Sequence, residues 1–226
     1  SQIQQFTADA AHELRTPVAA SSTTVESALL TPYLSDSEAR AILQSIDRQN
    51  QRLTQLVNDL LLLARMERRA LPVRHQDSCL NDIVTDLVEE LETLAIASGV
   101  TLRSDIRVDK ALHIVGNEEQ LYRLVSNLIV NAIQYTPQDG QVSVILDCID
   151  NYALIHVKDT GIGIAPPEQK RIFDRFYRVN SDRSRISGGS GLGLAIAMAI
   201  TQAHNGSLQV QSELGKGSTF TIRLPY

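Results

Sequence analysis

His12 and Glu13 are adjacent in a stretch whose apolar residues follow helical spacing. On a helix, His12 points roughly 140° away from the apolar side. An outward imidazole beside a carboxylate can act as a nucleophile, because the carboxylate holds one ring nitrogen and leaves the other available. Thr16 shares this outward face one turn later, and Pro17 removes one backbone hydrogen bond just after it. Position alone does not separate this hypothesis from an ordinary solvated surface histidine.

A second set of residues with chemical potential lies in the C-terminal part of the chain. Asn127 and Asn131 are four residues apart on one predicted helix, where two amide oxygens suit Mg²⁺ because hard cations prefer oxygen ligands. The string DTGIGI, residues 159–164, follows a predicted strand. Its glycines permit close approach to a ligand, and Asp159 can accept a hydrogen bond from an exocyclic amine. Each string alone also fits a surface amide pair or an ordinary turn.

Two further strings add cations and an anion site. The amphipathic string IFDRFYRV, residues 172–179, carries Arg175 and Arg178. The glycine-rich string GGSGLGLAIA, residues 188–197, runs into a predicted helix whose first amides favour a phosphate. A flexible loop with a helix cap is the plain alternative. The polar segment 180–189 has the composition of a lid that orders over a ligand.

The first of two composition regimes predicts a helical hairpin. Residues from about 5 to 69 contain no glycine, and their apolar residues alternate spacings of three and four. A turn near residues 31–36 separates two helices, and Ser35 with Glu38 forms a capping box for the second one. A single hairpin buries too little apolar surface, so we expect two copies to form a four-helix bundle.

The second regime alternates helices and strands after a linker near residues 65–77. Helices are predicted at about 78–98, 118–135 and 191–204, and strands near 100–106, 142–146, 154–157, 207–211 and 218–224. Asn117 is predicted to cap the second of these helices. We therefore predict an α+β chain. The helical hairpin occupies residues 1–69 and forms a dimeric four-helix bundle, and an α/β sandwich occupies residues 70–226.

Composition restricts the partners and the compartment. The chain has 226 residues with 21 Lys and Arg against 26 Asp and Glu, and this net charge of −5 disfavours nucleic acid as a partner. Cys79 and Cys148 lack companions at metal-ligand spacing, so structural zinc and a disulfide framework are disfavoured and a reducing, cytoplasmic compartment is expected. No apolar run approaches the ~20 residues of a membrane span, so no membrane contact by this part is expected.

Helical periodicity is already under way at Phe6, without a preceding cap or loop. We therefore expect this chain to be a piece of a longer protein. A membrane anchor in the remainder of that protein stays open.

The string FTADAAHELRTP, residues 6–17, resembles the phospho-acceptor box of sensor histidine kinases. The resemblance implies that His12 is autophosphorylated and that Glu13 assists the imidazole. It also implies that Thr16 positions a water molecule when the same domain dephosphorylates its partner. A homodimer is implied, together with a response regulator that docks on the bundle.

The order and spacing of the four C-terminal strings resemble the N, G1, F and G2 boxes of the ATP-binding domain of that family, the Bergerat fold. ATP and Mg²⁺ are the implied ligands, with Asn131 holding the metal and Asn127 near the metal and the phosphates. The implied adenine side consists of Tyr135, Asp159, Gly161 and Gly163. The implied phosphate and lid side consists of Arg178, Gly189, Gly191 and Gly193, with Thr219 in a closing glycine motif.

One residue separates the possible activities. Hydrolytic Bergerat ATPases place a glutamate where this sequence has Asn127, and an amide cannot accept the proton of an attacking water. His12 is then the candidate nucleophile, so we predict an ATP-dependent histidine kinase that passes the phosphoryl group to an aspartate of a response regulator. Gln134 stands where many relatives carry a lysine toward the phosphates. The loss of that positive charge favours one alternative, a non-catalytic or phosphatase-only signalling dimer with a weakened nucleotide site.

Overall fold

The computed structural model describes residues 2–67, 76–179 and 190–226. The chain divides into two compact units, residues 1–64 and 65–226. The expected domain boundary at residues 69 and 70 and most of the expected linker lie outside the described residues. The whole of the expected lid, residues 180–189 with Gly189, lies outside them as well.

The first unit is a pair of helices, α1 (Gln2–Leu30) and α2 (Asp36–Glu67). The predicted capping box is present at the start of α2, where the backbone N–H of Ser35 donates to Oε2 of Glu38 at 2.9 Å and the Ser35 hydroxyl donates to the same oxygen at 2.6 Å. These bonds stabilise the carboxylate and lower the pKa of Glu38. The predicted turn between two helices is therefore confirmed.

The apolar side of this unit is only partly buried. Leu56 and Leu63 of α2 are 4% and 2% exposed, whereas Val18 and Val25 of α1 are 50% and 40% exposed. A cleft of about 520 Å³ lies between the helices and is lined mainly by small residues of α1. Thus one side of the apolar stripe predicted on α1 is covered, and the other side, which carries Val18 and Val25, is exposed.

Within the described residues, the second unit contains a five-stranded sheet, a two-stranded sheet and three α-helices. The large sheet has the order β2–β4–β5–β7–β6; β2 is parallel to β4, and the other pairs are antiparallel. Its strands are β2 (Thr101–Ile106), β4 (Gln141–Ile149), β5 (Tyr152–Asp159), β6 (Ser207–Glu213) and β7 (Gly217–Pro225). The small sheet pairs β1 (Gln76–Cys79) with β3 (His113–Gly116). The helices are α3 (Leu80–Ala97), α4 (Glu118–Tyr135) and α5 (Gly193–Ala203).

The sheet buries one face beneath the helices. Alternate residues of its central strands are buried, such as Val144 in β4, Ile155 in β5 and Phe220 in β7. Successive side chains of a strand point to opposite faces, so this alternation gives one apolar face and one polar face. Helices α3, α4 and α5 each contact strands of the large sheet. The predicted α/β sandwich after a helical pair is therefore confirmed.

Local sequence signals fix the ends of the site-bearing helices. The side-chain oxygen of Asn117 accepts the backbone N–H of Gln120 at 2.9 Å, which caps α4 as predicted. At the predicted hairpin, Asp150 has a φ of 52° between β4 and β5. Gly206 follows α5, and its N–H donates to the carbonyl of Thr201 at 2.9 Å.

Two elements differ from the sequence prediction. Helix α3 begins at Leu80 because Ser78 and Cys79 pair with β3, a strand that the sequence analysis did not predict. Residues 171–173 form one turn of 3-10 helix within the amphipathic third string. None of the helices in the described ranges is long and apolar enough to span a bilayer.

Candidate functional site

The predicted acceptor residues lie together on α1. The His12 side chain is 71% exposed, and its Nδ1 lies 4.0 Å from Oε1 of Glu13. The Thr16 hydroxyl donates to the carbonyl oxygen of His12 at 3.2 Å, so it is anchored one turn from the imidazole. At 4.0 Å, Glu13 influences the imidazole electrostatically without forming a hydrogen bond. An exposed imidazole with a carboxylate nearby is suited to nucleophilic attack on a large substrate.

The Asp159 carboxylate is buried at the end of β5, with 6% of the residue exposed. Its Oδ1 accepts the backbone N–H of Gly161 at 2.8 Å and that of Ser218 at 3.1 Å. Burial raises the pKa of Asp159, while these two hydrogen bonds act in the opposite direction. Within the described residues, Oδ2 has no hydrogen-bond partner. This oxygen can therefore accept a hydrogen bond from a ligand amine.

The glycines after Asp159 are required by close packing. A Cβ on Gly161 would lie 2.5 Å from the carbonyl oxygen of Tyr135 and 2.7 Å from Oδ1 of Asp159. Gly163 has a φ of +68°, and a Cβ there would lie 2.0 Å from the carbonyl oxygen of Glu213. Only glycine fits both positions without a shift of the backbone. The turn thus has one defined conformation beside the carboxylate.

Helix α4 places Asn127, Asn131 and Tyr135 on one face at successive intervals of four residues. The side-chain amide of Asn127 donates to the carbonyl of Gly193 at 3.1 Å. In the described part of the chain, Oδ1 of Asn127 and the side chain of Asn131 have no hydrogen-bond partner. Amide oxygens are among the ligands that Mg²⁺ prefers, so the residues present fit this cation.

The N-terminus of α5 fits an anion. Gly193 begins the helix, and no side chain among the described residues caps it, so its first amides are available. Gly191 has a φ of +71° and accepts the backbone N–H of Phe176 at 3.0 Å. Arg178, a half-buried residue, follows two positions after Phe176. The third and fourth strings are therefore joined where the phosphate side was predicted.

Thr219 is not brought to the Asp159 side. It is the registered partner of Lys158, and both alternate with residues that face the helices, so its side chain lies on the other face of the sheet. Ser218 instead contacts the Asp159 carboxylate through its backbone N–H. The sequence analysis missed Ser218, although alternation with Phe220 predicts that it faces the core.

Comparison with known proteins gives the family. The His Kinase A (phospho-acceptor) domain model matches residues 2–69, and the model for histidine kinase-, DNA gyrase B- and HSP90-like ATPases matches residues 116–226. The sensor histidine kinase RppB of Synechocystis sp. is 54% identical over 224 residues, which are 99% of this chain and 49% of that protein. The chain belongs to the two-component sensor histidine kinases.

Solved histidine kinases have the same fold as this histidine kinase chain. AdeS of Acinetobacter baumannii has a TM-score of 0.78 at 22% identity, covering 95% of this chain and 97% of its own. ShkA, solved at full length with AMPPNP, has a TM-score of 0.73 at 25% identity, covering 85% and 40%. ThkA, solved with the response regulator protein TrrA, has a TM-score of 0.73 at 18% identity, covering 98% and 61%.

The present histidine kinase chain spans about half the length of the curated relatives it matches. The phospho-acceptor and ATPase family models match separate parts of the chain, in agreement with the two compact units.

Proposed function

We propose that this chain autophosphorylates His12 with ATP and passes the phosphoryl group to an aspartate of a response regulator. The observation that carries the proposal is the coexistence of an exposed imidazole on α1 with a nucleotide site that presents amides on α4. Asn127 cannot take a proton from water, and its amide is already bonded to Gly193. Solvent is therefore a poor nucleophile at this site, and the imidazole replaces it.

In this proposal the second unit holds the nucleotide. Oδ2 of Asp159 accepts a hydrogen bond from the exocyclic amine of adenine, and Tyr135 lies against the base. Asn131 and Asn127 hold Mg²⁺, which neutralises phosphate charge. Arg178, the backbone of Gly191 and the first amides of α5, starting at Gly193, bind the phosphates.

His12 supplies the nucleophile. One ring nitrogen attacks the γ-phosphorus, the bond from that phosphorus to the β–γ bridging oxygen breaks, and ADP leaves with the electron pair. Glu13 faces Nδ1 and stabilises the positive charge that the imidazole gains during attack, which leaves Nε2 for the reaction. The imidazole then loses its remaining ring proton to solvent. The product is a phosphohistidine.

The response regulator is proposed to dock on the helical pair, close to Thr16 and residues 53–58. Val57 is 40% exposed there, and Thr16 is exposed beside His12. ThkA, which shares the fold, is solved with a response regulator protein. We also propose that Thr16 positions water for dephosphorylation of the regulator, that the chain acts as a cytoplasmic homodimer, and that the boundary between its domains lies at residues 69 and 70.

Incubation with γ-labelled ATP and Mg²⁺ tests the transfer. The parent chain should gain an acid-labile, base-stable label, and His12→Gln should abolish it. His113→Gln changes another half-exposed histidine and should retain full labelling. Acid-stable label, or label that survives His12→Gln, contradicts the proposal.

The alternative of a phosphatase-only or non-catalytic dimer rests on Gln134. It predicts no Mg²⁺-dependent ATP affinity, so a binding titration with and without Mg²⁺ separates it from the kinase. Steady phosphate release without bound label indicates a hydrolase instead.

A further inference from the structure

The turn Asp159–Ile164, here called the adenine turn, is held from two sides. On one side, the N–H of Ile162 donates to the carbonyl of Tyr135 at 3.2 Å. On the other side, the N–H of Gly215 donates to the carbonyl of Ile162 at 2.7 Å. The adenine turn therefore lies between the end of α4 and the hairpin that joins β6 to β7.

The hydroxyl of Ser212, near the end of β6, takes part in three hydrogen bonds at this contact. Its Oγ accepts the backbone N–H of Ile164 at 2.7 Å and donates to the carbonyl of Gly217 at 2.9 Å. It also lies 2.9 Å from Oγ of Ser218. A hydroxyl has one hydrogen to donate, so Ser218 is the donor of that third bond. One side chain thus joins the adenine turn to β7.

Gln169 closes the same contact from the segment after the turn. Its side-chain amide donates to the carbonyl of Ile164 at 3.0 Å and to the carbonyl of Ser212 at 2.8 Å. The two amide hydrogens therefore bridge the end of the adenine turn and the end of β6. No apolar packing could replace this bridge, because both partners are backbone oxygens that need a donor.

The bonds lead to the carboxylate that contacts the base in the proposed function. Ser218, which is bonded to Ser212, gives its backbone N–H to Oδ1 of Asp159. Gly217, whose carbonyl accepts from Ser212, is packed so closely that a Cβ on it would lie 2.1 Å from the carbonyl oxygen of Asp159. A change at Ser212 is therefore transmitted to both the carboxylate and the backbone of the adenine turn.

We propose that Ser212 and Gln169 are positioning residues that set the adenine specificity of the nucleotide site, by fixing Asp159 and the adenine turn. This inference rests on the proposed function of the site. Neither residue needs to touch the nucleotide. Each acts through the orientation of Oδ2 of Asp159.

Competition titrations with ADP and IDP measure this role in the full chain. The two nucleotides differ at the group that meets Asp159, because inosine has a 6-oxo group where adenosine has an amine. The parent should bind ADP at least about tenfold more tightly than IDP, since a site built for an amine donor rejects an analogue that lacks it. Ser212→Ala should weaken ADP by about tenfold and IDP much less, so that the preference is largely lost.

Two variants and one control sharpen the test. Ser212→Thr keeps the hydroxyl and should restore the preference. Gln169→Glu removes both donors with little change in size and should reduce the preference as Ser212→Ala does. Gln209→Ala, at an exposed position of the same strand, should leave both affinities unchanged. Should Ser212→Ala fail to fold, Gln169→Glu decides the matter.

Equal weakening of ADP and IDP would overturn the inference, because a purely structural role lowers both affinities. An unchanged preference in folded Ser212→Ala and Gln169→Glu would overturn it as well, while the proposed function would stand on the parent's binding and labelling. A parent chain that binds neither nucleotide would overturn both proposals.

Discussion

In the proposed function, the buried Asp159 carboxylate binds the base in its ionised form, although burial disfavours the charge. Burial raises its pKa, and Oδ1 is stabilised by two backbone amides while Oδ2 is left for the ligand. An amide in place of the carboxylate keeps an oxygen for these two backbone N–H groups, so the change should affect ligand affinity more than folding. Single substitutions at this scale should therefore separate ligand affinity from stability.

Asp159→Asn should raise the dissociation constant for ADP by about tenfold to a hundredfold, because a hydrogen bond to a charged group contributes about 1.5–3 kcal/mol. The melting temperature should not fall. A raised folded-state pKa means that ionisation lowers the free energy of unfolding as pH rises through that pKa, and the amide has no such ionisation. Calorimetry with and without ADP measures both. A lower melting temperature with unchanged affinity contradicts this reasoning.

The same carboxylate makes binding pH-dependent. In the proposed function, a proton on Oδ2 of Asp159 removes the acceptor for the exocyclic amine of adenine, so ADP affinity should fall on acidification. Because the pKa is raised, the fall should begin at a higher pH than the ordinary value of 3.8 implies. Titrations of ADP across this range, on the parent and on Asp159→Asn, should show the fall only in the parent.

Gly163 and Gly215 form a matched pair for backbone strain. Both have positive φ, at +68° and +81°. A Cβ on Gly163 meets the carbonyl of Glu213, whereas no atom of the described residues lies within 4 Å of a Cβ on Gly215. Gly215→Ala should cost about 1–2 kcal/mol from φ alone. Gly163→Ala should cost clearly more and weaken ADP binding as well. Chemical denaturation measures the difference, and equal costs would show that the close approach to Glu213 is unimportant.

At the scale of elements, α4 and α5 are joined at two points. Asn127 bonds to Gly193 at the start of α5. At the C-terminal end of α5, Nδ1 of His204 lies 2.9 Å from the carbonyl oxygen of Ile200, and Nε2 of His204 accepts the backbone N–H of Asn117 at 3.1 Å. A carbonyl only accepts and an N–H only donates, so these partners fix the neutral imidazole with its hydrogen on Nδ1. These hydrogen bonds fix the position of α4 relative to α5, the two helices that carry candidate site residues.

Protonation of His204 should loosen this contact. Burial lowers its pKa, so its contribution to stability is full above the ordinary value of 6.5 and is lost as pH falls through the folded-state pKa. His204→Gln keeps an acceptor but cannot titrate, so its free energy of unfolding should fall less between neutral and acidic pH. His156, whose pKa is also lowered mainly by burial, accounts for a remaining slope. Denaturation at several pH values measures this, and an unchanged slope contradicts it.

His204→Phe tests the acceptor itself. The variant leaves the N–H of Asn117 without its buried partner, which should cost about 1–3 kcal/mol at neutral pH. His204→Gln should recover most of that loss. Equal losses in the two variants would indicate that packing, and not the hydrogen bond, is what His204 supplies.

At the scale of the whole molecule, the proposed dimer should depend on the exposed side of the apolar stripe of α1. Val25 lies on it and is 40% exposed in one copy of the chain. Val25→Glu should raise the dimer dissociation constant at least about tenfold, because burial of a valine contributes about 1.5–3 kcal/mol and a charge there is repelled in both copies. Ala19→Glu, on the exposed side away from the stripe, is the matched control. Sedimentation velocity over a dilution series measures both, and equal effects contradict the assigned face.

Much of the structure of this chain can be predicted from local sequence. The capping box of Ser35 and Glu38, the cap at Asn117 and the alternation in β4, β5 and β7 each depend on neighbours within a few residues, so they predicted the helices, strands and sandwich. The acceptor string and the four C-terminal strings gave the family for the same reason, since each is a contiguous piece of chain.

Only the tertiary structure decided which residues support those strings. Ser212 and Gln169 meet the adenine turn through bonds to backbone atoms, and β1 finds β3 across more than thirty positions. Backbone partners leave no mark in the side-chain pattern, so no spacing rule could predict them. The register of β7 likewise placed Ser218, and not Thr219, beside Asp159, because the pairing of strands fixes which face each side chain occupies.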